Sequence, residues 1–243
     1  MSTTTPAPQV SALAPESSEI AIAARNLSVG YGSIPFVRDL DIEVARGEIV
    51  AVLGANGAGK STTIMGLAGV LKAQSGHVEL NGAATTTALN ARARDGLALI
   101  TQDRCVFMGL SVRDNFKVGG VDPEVALEYF PELKEHVGRQ VGLLSGGQQQ
   151  MLAVARAIAR RPRILLADEL SLGLAPKIVD RILEVLSVAC REQNLGVLLV
   201  EQQVAKALSV ADRGAVVRRG RLVMVGTADE LRSRTDEVQA MYL

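Results

Sequence analysis

Apolar and polar residues change period several times along the chain, and the changes outline an alternating α/β protein. Leu40, Ile42 and Val44 alternate with Asp39, Asp41 and Glu43, which predicts a half-buried strand. Ala45-Arg46-Gly47 then turns the chain, and Glu48 to Leu53 is a short run rich in Ile and Val, suited to a strand buried on both faces. A glycine-rich segment follows, then a helical pattern from Lys60 to about Leu71. His77 to Leu80 reads as a strand closed by the turn pair Asn81-Gly82. Ser111 to Val141 is more polar and reads as mostly helical, with capping signals at Ser111 and Asp114.

Two further buried-strand runs lie at Arg163 to Ala167 and Gly196 to Val200. Helical patterns separate these strands, which predicts a parallel sheet with crossover connections. Ala215 to Val217 and Leu222 to Val225 flank Arg218 to Arg221 as a hairpin, and Thr227 with Glu230 has capping-box spacing for a last helix. Met1 to Ser18 is rich in Ser, Thr, Pro and Ala, without the basic start and apolar run of a secretory signal, and is expected to be a disordered leader. Residues 19–243 are expected to form one domain.

Composition narrows the classes. A chain of 243 residues, 48% apolar and 21% charged, can bury a core without covalent staples. Cys105 and Cys190 are too few for a disulfide framework. A formal net charge of +0 gives no bulk attraction to nucleic acid or anionic lipid, so no nucleic-acid partner is expected. No apolar run reaches the ~18 residues of a membrane span.

The densest chemistry lies in the glycine-rich segment. Gly54-Ala55-Asn56-Gly57-Ala58-Gly59-Lys60-Ser61-Thr62 fits G-x-x-x-x-G-K-[ST], placed between a buried strand and a helix. Glycines let backbone amides turn inward around an anion, and the helix start adds its dipole. Lys60 is placed to reach the β- and γ-phosphates and Ser61 to offer a hydroxyl to Mg²⁺. The pattern selects a nucleoside triphosphate without choosing ATP over GTP. Asp168-Glu169 follows the strand run ending at Ala167, where open α/β sheets place ligands. Asp168 there can hold Mg²⁺ and Glu169 can polarise an attacking water. Leu144-Ser145-Gly146-Gly147-Gln148 begins another helix whose buried face is Met151, Val154, Ala155 and Ile158. Ser145 and Gln148 are at capping-box spacing, and the exposed amides make a second anion site.

In their order along the chain (glycine loop, Leu144 to Gln148, Asp168-Glu169) and approximate spacing, the three motifs resemble those of ABC transporter ATPases, over essentially everything after the leader. The resemblance implies a RecA-like parallel-sheet core with the P-loop, an N-terminal antiparallel β subdomain, and a helical subdomain inserted at about 103–160. It implies ATP and Mg²⁺ as cofactors. Ser145, Gly146, Gly147 and Gln148 would complete the site of a partner ATPase, so that two subunits sandwich two nucleotides. Tyr31 matches the aromatic that stacks on adenine. Gln102 matches the glutamine that touches Mg²⁺ and the attacking water. Ser171 to Pro176 matches the loop that crosses the dimer interface.

Phe130-Pro131-Glu132-Leu133-Lys134, Gln148 to Ala153, Ser171 to Pro176, Val200-Glu201-Gln202, Ala211-Asp212-Arg213 and the terminal Tyr242-Leu243 resemble one branch. That branch comprises the ATPases of branched-chain amino acid importers and their urea and amide relatives, and this chain looks like the shorter of its two ATPases. The resemblance implies a second ATPase subunit (a different chain, or a second copy), transmembrane permease subunits, an external solute-binding protein acting indirectly, and a cytoplasmic place on the inner face of a bacterial membrane. The alternative is a non-transport ABC ATPase in DNA repair, translation or regulation. Gln202 stands where most of the family has a histidine contacting the γ-phosphate, Leu170 where it has proline, and Ile100-Thr101 where the branch often has a proline.

Overall fold

The computed structural model describes residues 19–241. The leader expected at residues 1–18 and the terminal pair Tyr242-Leu243 lie outside the described residues. Among those described, two sheets face each other. Strands β1 (Ile20–Tyr31), β2 (Ile34–Ala45), β4 (Ser75–Leu80) and β5 (Ala83–Thr85) form an antiparallel sheet in the order β2-β1-β4-β5. Strands β3 (Ile49–Leu53), β6 (Leu97–Ile100), β7 (Ile164–Asp168), β8 (Gly196–Val200), β9 (Arg213–Arg218) and β10 (Arg221–Thr227) form the other, in the order β10-β9-β3-β8-β7-β6. All its pairings are parallel except β9 with β10.

The buried-strand runs read from sequence are the middle of this sheet. β3, β7 and β8 are buried at every position, because the antiparallel sheet covers one face and helices the other. β2 departs from strict alternation: Glu43 is buried alongside Ile42 and Val44. Its charge is balanced by Arg25 of β1, with Nη1 2.8 Å from a carboxylate oxygen.

The helix after the glycine loop is shorter than the pattern suggests. α1 runs Lys60–Leu67. Gly69 takes a left-handed φ of 75° and the amides of Val70 and Leu71 both return to the Met65 carbonyl, so the chain turns off before Leu71. Arg92, buried on α2 (Leu89–Arg94), donates from Nη1 to the Leu67 carbonyl at 2.5 Å and from Nε to the Thr87 carbonyl at 2.8 Å. One guanidinium thereby satisfies an end carbonyl that the helix cannot.

Between β6 and β7 the chain is helical but broken into short pieces. α3 (Val112–Val118) ends at Gly119-Gly120. α4 (Pro123–Tyr129) has proline at its first position, and Pro131 starts a 3-10 turn to His136. A second 3-10 turn (Val141–Leu143) precedes α5 (Gly146–Ile158). Phe116, Phe130, Leu133 and Leu152 are fully buried where these pieces meet. Each contributes about 1.5–3 kcal/mol by leaving water. α5 buries the expected Met151, Val154, Ala155 and Ile158, and also Gln149 and Gln150.

The remaining helices are α6 (Pro176–Gln193), α7 (Val204–Val210), α8 (Ala228–Ser233) and α9 (Thr235–Ala240). The capping box of Thr227 and Glu230 opens α8. The hairpin between β9 and β10 is tighter than expected, because Arg218 and Arg221 belong to the strands and Arg219-Gly220 makes the turn.

Candidate nucleotide site

The site is assembled at the C-terminal ends of β3, β7 and β8, where the chain leaves the parallel sheet. β3 runs directly into the glycine loop. Gly59 has a φ of 113°, which favours glycine, and no side chain caps α1, so the first amides of that helix are left for an incoming anion. The loop is braced from outside by the β9–β10 turn. The Gly220 amide donates to the Ala58 carbonyl at 2.7 Å, and the Gly220 carbonyl accepts from the Arg38 amide of β2 at 2.8 Å.

Lys60 is buried, and its ammonium donates to the carbonyls of Gly54 at 2.9 Å and Ala55 at 3.1 Å. It stands 3.8 Å from Glu169 Oε1. Burial lowers its pKa, and the carboxylates of Glu169, Asp168 and Glu201 pull it back up. Glu169, just past β7, has a left-handed φ of 51°, which a residue with a Cβ adopts only when its surroundings hold it there. Its Oε2 accepts from Gln102 Nε2 at 3.5 Å, a long hydrogen bond from the loop after β6.

Asp168 is the last residue of β7 and is 3% exposed. Burial raises its pKa, opposed by a hydrogen bond from the Ser61 hydroxyl and reinforced by the negative charge of Glu169. Its Oδ1 is buried with no hydrogen-bond partner. An orphaned carboxylate oxygen beside a hydroxyl fits a hard cation such as Mg²⁺, which is bound through one or two carboxylates and the phosphates of its nucleotide. No cluster of three or more His, Cys, Asp or Glu able to hold a metal occurs among the described residues. Ser61 and Asp168 are the groups here that could hold such an ion, and Gln102 hydrogen-bonds the neighbouring Glu169.

Phe36, Asn56, Gly57, Gly59, Lys60, Ser61, Thr62 and Glu169 line a cavity of about 110 Å³. Among the residues expected from sequence, the structure thus gathers the glycine loop, Lys60, Ser61, Thr62, Asp168, Glu169 and Gln102. Tyr31 is not in the lining. It stands at the end of β1, 66% exposed, and Phe36 of β2 is the aromatic that reaches the cavity. No motif in the sequence singles out Phe36. Gln202 is half-buried on the β8–α7 connection and is not among the lining residues.

Ser145 to Gln148 also lie outside the cavity. Ser145 caps α5 in a complete capping box, its hydroxyl accepting from the Gln148 amide at 3.3 Å and the Gln148 side chain accepting from the Ser145 amide at 3.0 Å. Gly147 packs against α6: a Cβ there would lie 2.9 Å from Ile178. Arg104, from the Gln102 loop, donates to Gln150 at 2.9 Å and Gln149 at 3.2 Å. Gln149 in turn donates to the Leu144 carbonyl at 3.2 Å. The loop after β6 and the start of α5 are therefore joined by side chains.

Residues 37–171 match the model of the ABC transporter family. This chain belongs to the ABC transporter family. It is 42% identical over 219 residues to the high-affinity branched-chain amino acid transport ATP-binding protein BraG of Pseudomonas aeruginosa, covering 84% of this chain and 92% of that one. It is 37% identical over 215 residues to the probable branched-chain amino acid transport ATP-binding protein LivF of Archaeoglobus fulgidus, covering 84% and 91%. Its fold is similar to the crystal structure of a nucleotide-free ATP-binding cassette from an ABC transporter, with a TM-score of 0.80 at 21% identity, covering 92% and 99%. This ABC family member is an ATPase that takes ATP with Mg²⁺, on the fold expected from its sequence. No helix among its described residues is long and apolar enough to cross a membrane.

Proposed function

We propose that this ABC ATPase energises import of branched-chain amino acids, or of related small polar solutes such as urea or amides. The observation that carries the reading is its 42% identity across most of a branched-chain amino acid transport ATP-binding protein. In this reading residues 19–243 are one ATPase domain with a helical subdomain at about 103–160. The chain works on the inner face of a bacterial membrane, with permease subunits and a second ATPase subunit, and an external binding protein delivers the solute.

The division of labour follows from the site. Gly54, Asn56, Gly57, Ala58 and Gly59 offer amides to the phosphates, with Lys60 and Thr62 beside them. Ser61 and Asp168 hold Mg²⁺, which neutralises phosphate charge when bound. Glu169 accepts the proton of the attacking water, Gln102 orients it, and Gln202 donates an amide hydrogen bond toward the γ-phosphate. Tyr31 supplies the adenine-facing ring outside the phosphate cavity.

Two features support a paired arrangement. A cavity of about 110 Å³ seats phosphate groups, whereas whole-ligand pockets run to roughly 300–1,000 Å³. Ser145 to Gln148 present a capped, outward-facing helix start that adds nothing to this chain's own cavity. A groove of about 340 Å³ beside the Gln102 loop, lined in part by Arg104, Cys105, Phe107, Val118 and Arg156, supports a permease contact.

Glu169→Gln tests the chemistry: it is expected to bind ATP, stop hydrolysing it and accumulate a closed, ATP-loaded pair. Parent-rate hydrolysis would overturn the assignment. Uptake of labelled leucine, urea and acetamide by cells lacking the chain tests the cargo. Copurification of membrane proteins separates transport from the alternative of DNA repair, translation or regulation.

A further inference from the structure

We infer that Glu201 is a positioning residue, which holds the loop carrying Glu169 through two hydrogen bonds to Ser171. Glu201 follows β8 and is 1% exposed. One carboxylate oxygen accepts from the Ser171 amide at 3.0 Å and the other from the Ser171 hydroxyl at 2.5 Å. Ser171 is itself buried, so both ends of the bridge are shielded from water, where such hydrogen bonds are stronger and their loss costs more.

The bridge is placed where catalysis needs rigidity. Ser171 is two residues beyond Glu169, whose left-handed backbone must be held by its surroundings. The Glu169 amide is fixed to the Val200 carbonyl at 2.9 Å, beside Glu201. Leu170 between them has no ring to restrict its backbone. The Glu201 amide bonds the Val52 carbonyl of β3 at 3.3 Å, tying the same residue to the strand that enters the glycine loop. Glu201 thus relates the carboxylate after β7 to the phosphate loop after β3.

A carboxylate here is costly as mere filling. Burial raises its pKa, against the Ser171 bonds and a bond from the Gln202 amide. An apolar side chain of similar size would pack the space without that cost. What the carboxylate adds is two acceptors aimed at one loop residue, and its charge is near enough to raise the pKa of Lys60.

The inference rests on the assignment of Glu169 above. The test compares Glu201→Leu, Glu201→Gln, Ser171→Ala and Glu169→Gln in the full chain, within the ATPase-active assembly that copurifies with it. Glu201→Leu removes both acceptors and keeps bulk. It strands the buried Ser171 amide and hydroxyl, so it is expected to lower the thermal midpoint as well as lower kcat by about 10- to 100-fold, while leaving ATP KM near the parent. Glu201→Gln keeps an acceptor for the amide and a donor toward the hydroxyl, and should recover most of kcat. Ser171→Ala should lower kcat part-way, and combining it with Glu201→Leu should lose no more than Glu201→Leu alone. Parent kcat in Glu201→Leu with Glu169→Gln inactive overturns the inference and leaves the site assignment standing. A KM that rises as kcat falls also overturns it. Should Glu201→Leu not fold, parent kcat in Ser171→Ala decides against it. Parent turnover in Glu169→Gln removes the assignment and this inference together.

Discussion

At the scale of residues, Asp168 exchanges stability for function. Burial lifts its pKa and Oδ1 has no partner, so its charge is unfavourable to the folded chain without a cation. The folded carboxyl therefore titrates at higher pH than the unfolded one. The stability its protonation confers is complete below the unfolded carboxylate range and is lost as pH rises through the folded value. Asp168→Asn is expected to raise the melting temperature of the nucleotide-free protein at neutral pH, by a margin that shrinks as the pH is lowered toward the carboxylate range. Hydrolysis should be abolished in the same variant. Differential scanning fluorimetry across pH with a turnover assay checks both. Lys60→Ala is expected to weaken ATP binding by tenfold or more, the loss of about one charge-assisted phosphate contact, measured with a fluorescent nucleotide. Gln202→Ala should slow hydrolysis and spare that binding.

Most of these residues were legible because their chemistry is local. Lys60 and Ser61 come from one continuous motif, and Asp168 with Glu169 from the end of one buried run. Phe36 was not legible: it reaches the cavity only because Gly220, from the far end of the chain, joins β2 to the glycine loop. Glu201 figured only in the branch resemblance of Val200-Glu201-Gln202, and its partner Ser171 lies on another strand's exit, which no periodicity relates to it.

At the scale of elements, the strands were clearer in the sequence than the helices. β3, β7 and β8 are covered on both faces, so their apolar runs are unbroken. α1 looked longer because Val70 and Leu71 continue the apolar pattern, whereas Gly69 and the Arg92 guanidinium decide where it stops. Arg92→Ala leaves the Leu67 and Thr87 carbonyls without their charged donor. It should cost about 1.5–3 kcal/mol in denaturant unfolding, with no change in the unfolding slope. Gly220 is a second such control point. A Cβ there would lie 1.8 Å from the Phe36 carbonyl oxygen, at a φ of 75°. Gly220→Ala is expected to loosen the brace on Ala58 and raise ATP KM, whereas Gly82→Ala, at a φ of 77° in open space, should leave KM unchanged.

At the scale of the whole molecule, the two sheets and the helical region surround three apolar clusters that meet at the central strands. The glycine loop and the start of α5 belong to this one body, yet α5 offers nothing to the loop's own cavity. Turnover per chain is therefore expected to rise with the concentration of the partner ATPase subunit and to saturate. A rate that stays constant on dilution, with no partner added, would refute the paired reading.

The position of β3 carries a consequence for biosynthesis. β3 is made well before its sheet neighbours β8 and β9, and before the Gly220 that braces its loop. A ribosome must make Gly196–Val200 and Arg213–Arg218 before Ile49–Leu53 has a strand on either side. Until then a fully apolar segment waits unpaired, the situation in which nascent chains aggregate or need a chaperone. The brace on the phosphate cradle can form only after Gly220 has been made, well after the glycine loop itself.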